Sequence, residues 1–203
     1  MNLTEKLIIF ITKYNKDDVN LNNLLNKFNK NNNFIIVTSS ENLYEKFAIN
    51  NYKNYISDAE YYVYYFHTKG LSHAHDNLSH IFNSRRQILN YYTLEKYHVN
   101  LKLLETYDAV GCSLSLYPKK HFSGNFWWSK SSHVATLENI NDKYLSAEMY
   151  ILDKENVKYI SLANDTNDIL IENYNFKNDV DIFINSTKNM IIVEEHKKLI
   201  NLC

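Results

Sequence analysis

Glycine and cysteine are scarce in this 203-residue chain, with three and two respectively, and 22 basic residues nearly cancel 23 acidic ones to leave a net charge of −1. Each shortage removes a class of function. Gly70, Gly111 and Gly124 are scattered, so no glycine-rich loop follows the first predicted strand, and neither a dinucleotide-binding fingerprint nor a P-loop is present. Cys112 and Cys203 lie far apart, which gives no disulfide framework and no metal-ligand spacing; a reducing compartment is the expectation. Charges of both signs are dispersed, so no field draws nucleic acid or an anionic membrane. Long apolar runs are missing too. The run inside Met1–Phe10 is only about four residues long, too short for a signal-peptide core or a membrane span. The expectation is a soluble, cytoplasmic protein of unassigned oligomeric state.

What is present alternates regularly. Leu7–Thr12 (LIIFIT), Phe34–Thr38 (FIIVT) and Tyr61–Phe66 (YYVYYF) are short β-branched or aromatic runs that predict buried strands. Between them, Val19–Phe28 carries apolar residues at helical spacing, and Leu43–Ala48 reads as a helix with Ser39 or Ser40 as its cap. Further on come a long helix over Phe82–Leu104 with a break near His98, a fourth strand over Tyr107–Leu114, and a helix over Lys143–Leu152. The Asn29–Asn33 tract reads as a loop whose composition carries no function. The tail holds apolar runs at Tyr159–Leu162, Ile182–Ile184 and Met190–Val193. This βαβαβ rhythm predicts an α/β, Rossmann-like fold with a mostly parallel central sheet flanked by helices. The length predicts one domain, residues 1–203, with its core at about 5–155, a tail of no assigned role, and roughly 70% of the unfolded surface buried.

In such sheets ligands bind where the strands stop. The strand ends offer Thr12, Lys13 and Tyr14; Thr38, Ser39 and Ser40; and His67, Thr68 and Lys69. Tyr14 has a ring to stack on a nucleotide base, and Lys69 is a point charge suited to a diphosphate. Of Arg85 and Arg86, a helix can turn only one inward, and Arg86 is taken as the cation toward the cleft. His73, Asp76 and His80 do not have the spacing of a zinc motif. The densest local feature is His121–Trp128 (HFSGNFWW), which holds both tryptophans and one glycine. It reads either as a plain hydrophobic plug with a Gly-Asn turn or as a pocket wall for a polar ring such as a sugar.

Four segments in order carry a resemblance: Tyr-Phe-His-Thr-Lys-Gly (65–70), Tyr-Asp-Ala-Val-Gly (107–111), His-Phe-Ser-Gly-Asn-Phe-Trp-Trp (121–128) and Ala-Glu-Met-Tyr-Ile (147–151). Together they resemble nucleotide-sugar glycosyltransferases of the GT-A fold, in particular the group from polysaccharide-building gene clusters and large DNA viruses that includes rhamnosyltransferase-like domains. The resemblance covers roughly Leu7–Leu152. It implies a hexosyl- or deoxyhexosyltransferase that uses a nucleotide diphosphate sugar, usually a UDP-sugar, often with Mn²⁺ or Mg²⁺, and a glycan acceptor. His67, Thr68 and Lys69 stand where many GT-A enzymes have Asp-x-Asp. Threonine and lysine supply little of the carboxylate oxygen that hard cations prefer, so a metal would need Asp58 or Asp76 instead. By the same resemblance Ser123, Gly124, Asn125, Trp127 and Trp128 hold the sugar, Glu148 is the acid/base group, and His121 is a second candidate base. The alternatives are a nucleotide-sugar or carbohydrate-binding module of the same fold without transfer, and a purely structural domain.

Overall fold

Two parallel strands, β1 (Leu7–Ile11) and β2 (Phe34–Thr38), pair in register from Leu7 opposite Phe34 to Ile11 opposite Thr38. Their β-branched residues suit a pleated surface. The computed structural model that shows this describes residues 7–28, 34–55, 60–68, 79–143 and 145–162. The chain divides into two compact units, Met1–Ala59 with Asn139–Ala147, and Glu60–Glu138 with Glu148–Cys203.

In the first unit, helix α1 (Val19–Phe28) begins where Asp18 Oδ1 accepts a hydrogen bond from Leu21 N at 2.9 Å, which satisfies one of the donors that a helix start leaves open. Helix α2 (Tyr44–Asn51) buries Phe47 and Ile49, and Phe10 of β1 meets Phe47 edge to face at 5.7 Å. The expected serine cap of α2 is a correction. Leu43 holds the cap position without a side-chain bond, and Ser39 Oγ accepts from Glu41 N at 3.1 Å within the preceding turn.

In the second unit a four-stranded sheet runs β3 (Tyr62–Tyr65), β7 (Trp127–Lys130), β4 (Ala109–Gly111), β8 (Tyr159–Ser161). β4 and β8 are parallel, but β7 lies antiparallel to both of its neighbours. The expectation of a mostly parallel sheet therefore holds for β1–β2 and β4–β8 and fails at β7. An apolar run encodes burial and not direction. A separate hairpin joins β5 (Leu114–Ser115) to β6 (His121–Phe122).

The predicted long helix is divided: α3 (Ser79–Asn90), a π-helical turn over Tyr91–Glu95, then α4 (Tyr97–Leu103). The break falls at Lys96, just before the expected His98. Asn100 Nδ2 donates to the carbonyls of Tyr92 and Lys96, both at 2.8 Å, and so occupies acceptors where the winding changes. Leu89, Tyr92, Leu103 and Leu104 pack with Val110, Cys112, Phe126 and Leu162 in the core of this unit. Two short helices complete it, α5 (Ser131–Ala135) and α6 (Ser146–Met149), the latter beginning in the segment of the first unit and continued by a 3₁₀ turn over Tyr150–Leu152. Among the described residues no helix is long and apolar enough to cross a membrane.

Candidate functional site

The aromatic stretch folds as a tight turn that launches β7. Asn125 N donates to Phe122 O at 2.9 Å, and Gly124 sits at φ +95° in the third turn position, where a side chain is strained. A Cβ there would also approach Leu89 Cδ1 of α3 to 2.8 Å. Asn125 follows at φ +57°, a conformation that asparagine tolerates better than most residues. His67, just past β3, bonds through Nε2 to the carbonyl of Gly124 at 3.0 Å. Since a carbonyl only accepts, Nε2 is the donor.

Two of the predicted sugar contacts are corrected by this packing. Trp127 is fully buried, its indole stacked on Tyr65 at 5.1 Å and 15°, with Nε1 donating to Asn125 Oδ1 at 2.9 Å. The indole and the fully buried Asn125 side chain hold the turn to the sheet. Trp128 is half-buried and stacks on Tyr64 at 4.7 Å and 16°, while its Nε1 donates to Thr93 O. Each tryptophan thus pairs with the tyrosine opposite it in the β3–β7 register, the arrangement in which cross-strand rings meet. The outermost ring of the Phe66–Tyr64–Trp128 stack is Phe66, more than half exposed at the end of β3.

Arg85, not Arg86, reaches the turn. Its guanidinium donates to Ser123 Oγ, while Arg86 donates to Asn83 Oδ1 at 2.6 Å in its own helix. The signal was in the sequence: Arg85 precedes Leu89 by one helical turn and shares its face, and Leu89 is the residue that packs beneath Gly124.

The two predicted acid/base residues come together. His121, the first residue of β6, directs Nδ1 at Lys119 O at 2.8 Å, which makes Nδ1 the protonated nitrogen. Its Nε2 then faces Glu148 Oε2 of α6 at 3.9 Å, and both side chains are largely buried, at 6% and 18% exposure. That separation is too long for a direct hydrogen bond. An oxygen seated in the gap would reach both groups. The imidazole contributes a lone pair when neutral and a positive charge when protonated.

At the carboxyl ends of β1 and β2, Tyr14 N donates to Ser39 O at 2.7 Å, Lys13 N to Glu41 O at 3.0 Å, and Ser39 N to Ile11 O at 2.9 Å. These bonds gather half-buried Thr12 and Tyr14 and exposed Thr38 at one edge of the first unit, with the Tyr14 hydroxyl donating to Asn22 Oδ1 of α1. Thr68 is exposed in the second unit. Lys69, Asp58, His73 and Asp76 lie outside the described residues, as do the side chain of His80 and the tail from residue 163 onward. Among the described residues no cluster of three or more His, Cys, Asp or Glu side chains fits a metal ion. An open pocket of about 360 Å³ lies elsewhere, lined by Asp108, His133, Lys154, Glu155, Asn156 and Val157. It contains none of the predicted site residues.

A family model described as Domain of unknown function (DUF8361) matches residues 2–176, so the chain belongs to that family. No curated protein and no solved structure matches it.

Proposed function

We propose that this DUF8361 member is a glycosyltransferase of the GT-A type that moves a sugar from a nucleotide diphosphate donor, a UDP-sugar in the first instance, to a glycan acceptor. The observation that carries the reading is the pairing of His121 and Glu148 across a 3.9 Å gap. The two residues belong to separate sequence motifs and lie on different elements, β6 and α6.

In the proposed reaction the acceptor hydroxyl sits in that gap, and its oxygen attacks the anomeric carbon as the bond to the diphosphate breaks. The hydroxyl proton passes to Glu148, and the electron pair of the broken bond leaves with the diphosphate. His121, when its Nε2 carries a proton, donates a hydrogen bond to the same oxygen and fixes its direction. Arg85, held at Ser123, is a planar cation suited to the negative charge that develops on the leaving group.

Hard divalent cations take oxygen ligands, and His67 with Thr68 supplies no carboxylate. A panel of UDP-, GDP- and TDP-sugars, scored by thermal shift and by released nucleotide with and without Mn²⁺, tests the reading. Glu148→Gln should retain the donor thermal shift and lose transfer by about 10²- to 10⁴-fold, the usual range for a general base. Transfer at the wild-type rate in that variant removes Glu148 from the reaction. A donor shift without turnover in the unaltered protein would leave a binding module.

A further inference from the structure

We infer that Lys119 and Lys120 are positioning residues: anchored on Asp153 and the Lys154 carbonyl, they fix the tautomer of His121 and keep its neutral ring from bonding directly to Glu148. This inference rests on the transferase reading only where Glu148 is called a base; the clamp stands on its own bonds. The acceptor for His121 Nδ1 is the Lys119 carbonyl, 2.8 Å away. That oxygen belongs to the planar peptide joining Lys119 to Lys120. The side chains on both sides of the plane are anchored. Lys119 Nζ is ion-paired with Asp153, and Lys120 Nζ donates to Lys154 O at 3.0 Å. Lys120 Nζ also lies 5.4 Å from the centre of the Tyr159 ring of β8, within range of a cation–π contact.

The anchoring segment is the one that carries Glu148. Helix α6 continues through buried Tyr150, Ile151 and Leu152 into Asp153, so Glu148 and Asp153 share one short helical run. The hairpin that bears His121 is thereby tied to the run that bears its partner, and the peptide plane that orients the imidazole is gripped from both ends. The Lys119–Asp153 pair is more than half exposed on both sides, so it adds little to folding stability. Its effect is on the direction of one carbonyl.

That direction decides what the pair can do. The hydrogen bond made by one ring nitrogen sets which tautomer a neutral imidazole adopts. With Nδ1–H on Lys119 O, Nε2 turns a lone pair toward Glu148 Oε2, and two acceptors do not bond to each other. The 3.9 Å gap stays open for a third group. Nε2 then carries a proton only in the charged ring, the form that donates to an oxygen seated there. If the carbonyl turned away, a neutral Nε2–H tautomer would donate straight to the carboxylate and close the gap to about 2.7–3.2 Å. The base would then be engaged by the protein itself.

The test is long-range ¹H–¹⁵N correlation NMR of the full chain with labelled histidine, at about pH 8.5, above the ordinary imidazole range. His121→Gln identifies the signal. The unaltered protein should show the Nδ1–H form at His121. Lys119→Ala, Asp153→Ala and Lys120→Ala should each populate the Nε2–H form. Lys119→Arg should restore the Nδ1–H form, as should the charge swap Lys119→Asp with Asp153→Lys. Lys119 and Asp153 are exposed, so melting of their variants should match the unaltered protein. Lys119→Ala should also lower kcat roughly 10- to 100-fold at unchanged donor KM, the loss expected of a misdirected group. Retention of the Nδ1–H form in Lys119→Ala and Asp153→Ala overturns the inference. So does an unaltered protein in the Nε2–H form, or failure of both Lys119→Arg and the charge swap to restore Nδ1–H. A tautomer that responds as expected in a protein that transfers no sugar from any donor would sink the transferase reading and leave the clamp standing.

Discussion

At the scale of single residues, the hydroxyl of Tyr64 is the group with the clearest electrostatic consequence. Thr93 Oγ1 donates to Leu89 O at 2.7 Å, so the 2.9 Å contact between Tyr64 and Thr93 has the phenol as donor. Burial pushes the phenol up to about 12 from its ordinary 10.0. The folded protein thus holds this proton more tightly than the unfolded chain does. The resulting stability is fully present below pH about 10 and is lost as pH rises toward about 12. Tyr64→Phe should flatten the alkaline limb of stability against pH. Between pH about 9 and 12 the unaltered protein should lose about 2 kcal/mol more than the variant, measured by urea unfolding at stepped pH. Parallel limbs would mean that the phenol is solvated. The sequence offered no warning of this role, because in YYVYYF four tyrosines look alike and only register decides which one meets Thr93. The tryptophans teach the same point from the other side. HFSGNFWW was readable as a stacking surface, yet the rings that Trp127 and Trp128 stack on are the protein's own Tyr65 and Tyr64. An aromatic cluster signals stacking without saying which partner is internal.

At the scale of elements, β1, β2 and α1 were readable from local pattern, and α1 matches its predicted bounds at both ends. What local pattern does not carry is strand direction and long-range pairing, so β7 is absent from the predicted strands although it lies antiparallel between β3 and β4. The device that sets its direction is the turn before it. Gly124 provides a φ of +95° and the space against Leu89, and Asn125 follows it with a second positive φ. Gly124→Ala combines left-handed backbone strain with a 2.8 Å approach to a buried leucine, and should cost about 2–4 kcal/mol in chemical denaturation, the sum expected of a strained backbone and an overpacked core. Leu89→Ala in the same chain relieves the steric part and not the dihedral part. The double variant should therefore be more stable than additivity predicts. Simple additivity would show that Leu89 yields freely and that φ alone demands the glycine.

At the scale of the whole molecule, the path of the chain is the least readable feature. It leaves the first unit after Ala59, returns for Asn139–Ala147, and re-enters the second unit at Glu148, the proposed base. Asparagine abundance looked like composition without purpose, yet Asn50 fastens the returning segment. Its Nδ2 donates to Ile140 O at 3.0 Å and its Oδ1 accepts from Ile140 N at 2.8 Å, so one side chain imitates a strand partner. Lys46 and Asp142 form a second link at 2.5 Å, but the aspartate is nearly fully exposed, and such pairs contribute about 0–1 kcal/mol. The two links therefore predict unequal effects. Asn50→Ala should lower stability by about 1–3 kcal/mol and speed amide exchange at Ile140, since both backbone groups lose a half-buried partner. Lys46→Ala should stay within about 0.5 kcal/mol of the unaltered protein. Because Glu148 directly follows the fastened segment, Asn50→Ala should also reduce transfer by more than Lys46→Ala does at a temperature where both variants remain folded. Equal exchange at Ile140 in all three proteins would show that the segment is held by packing and that the asparagine bridge is incidental.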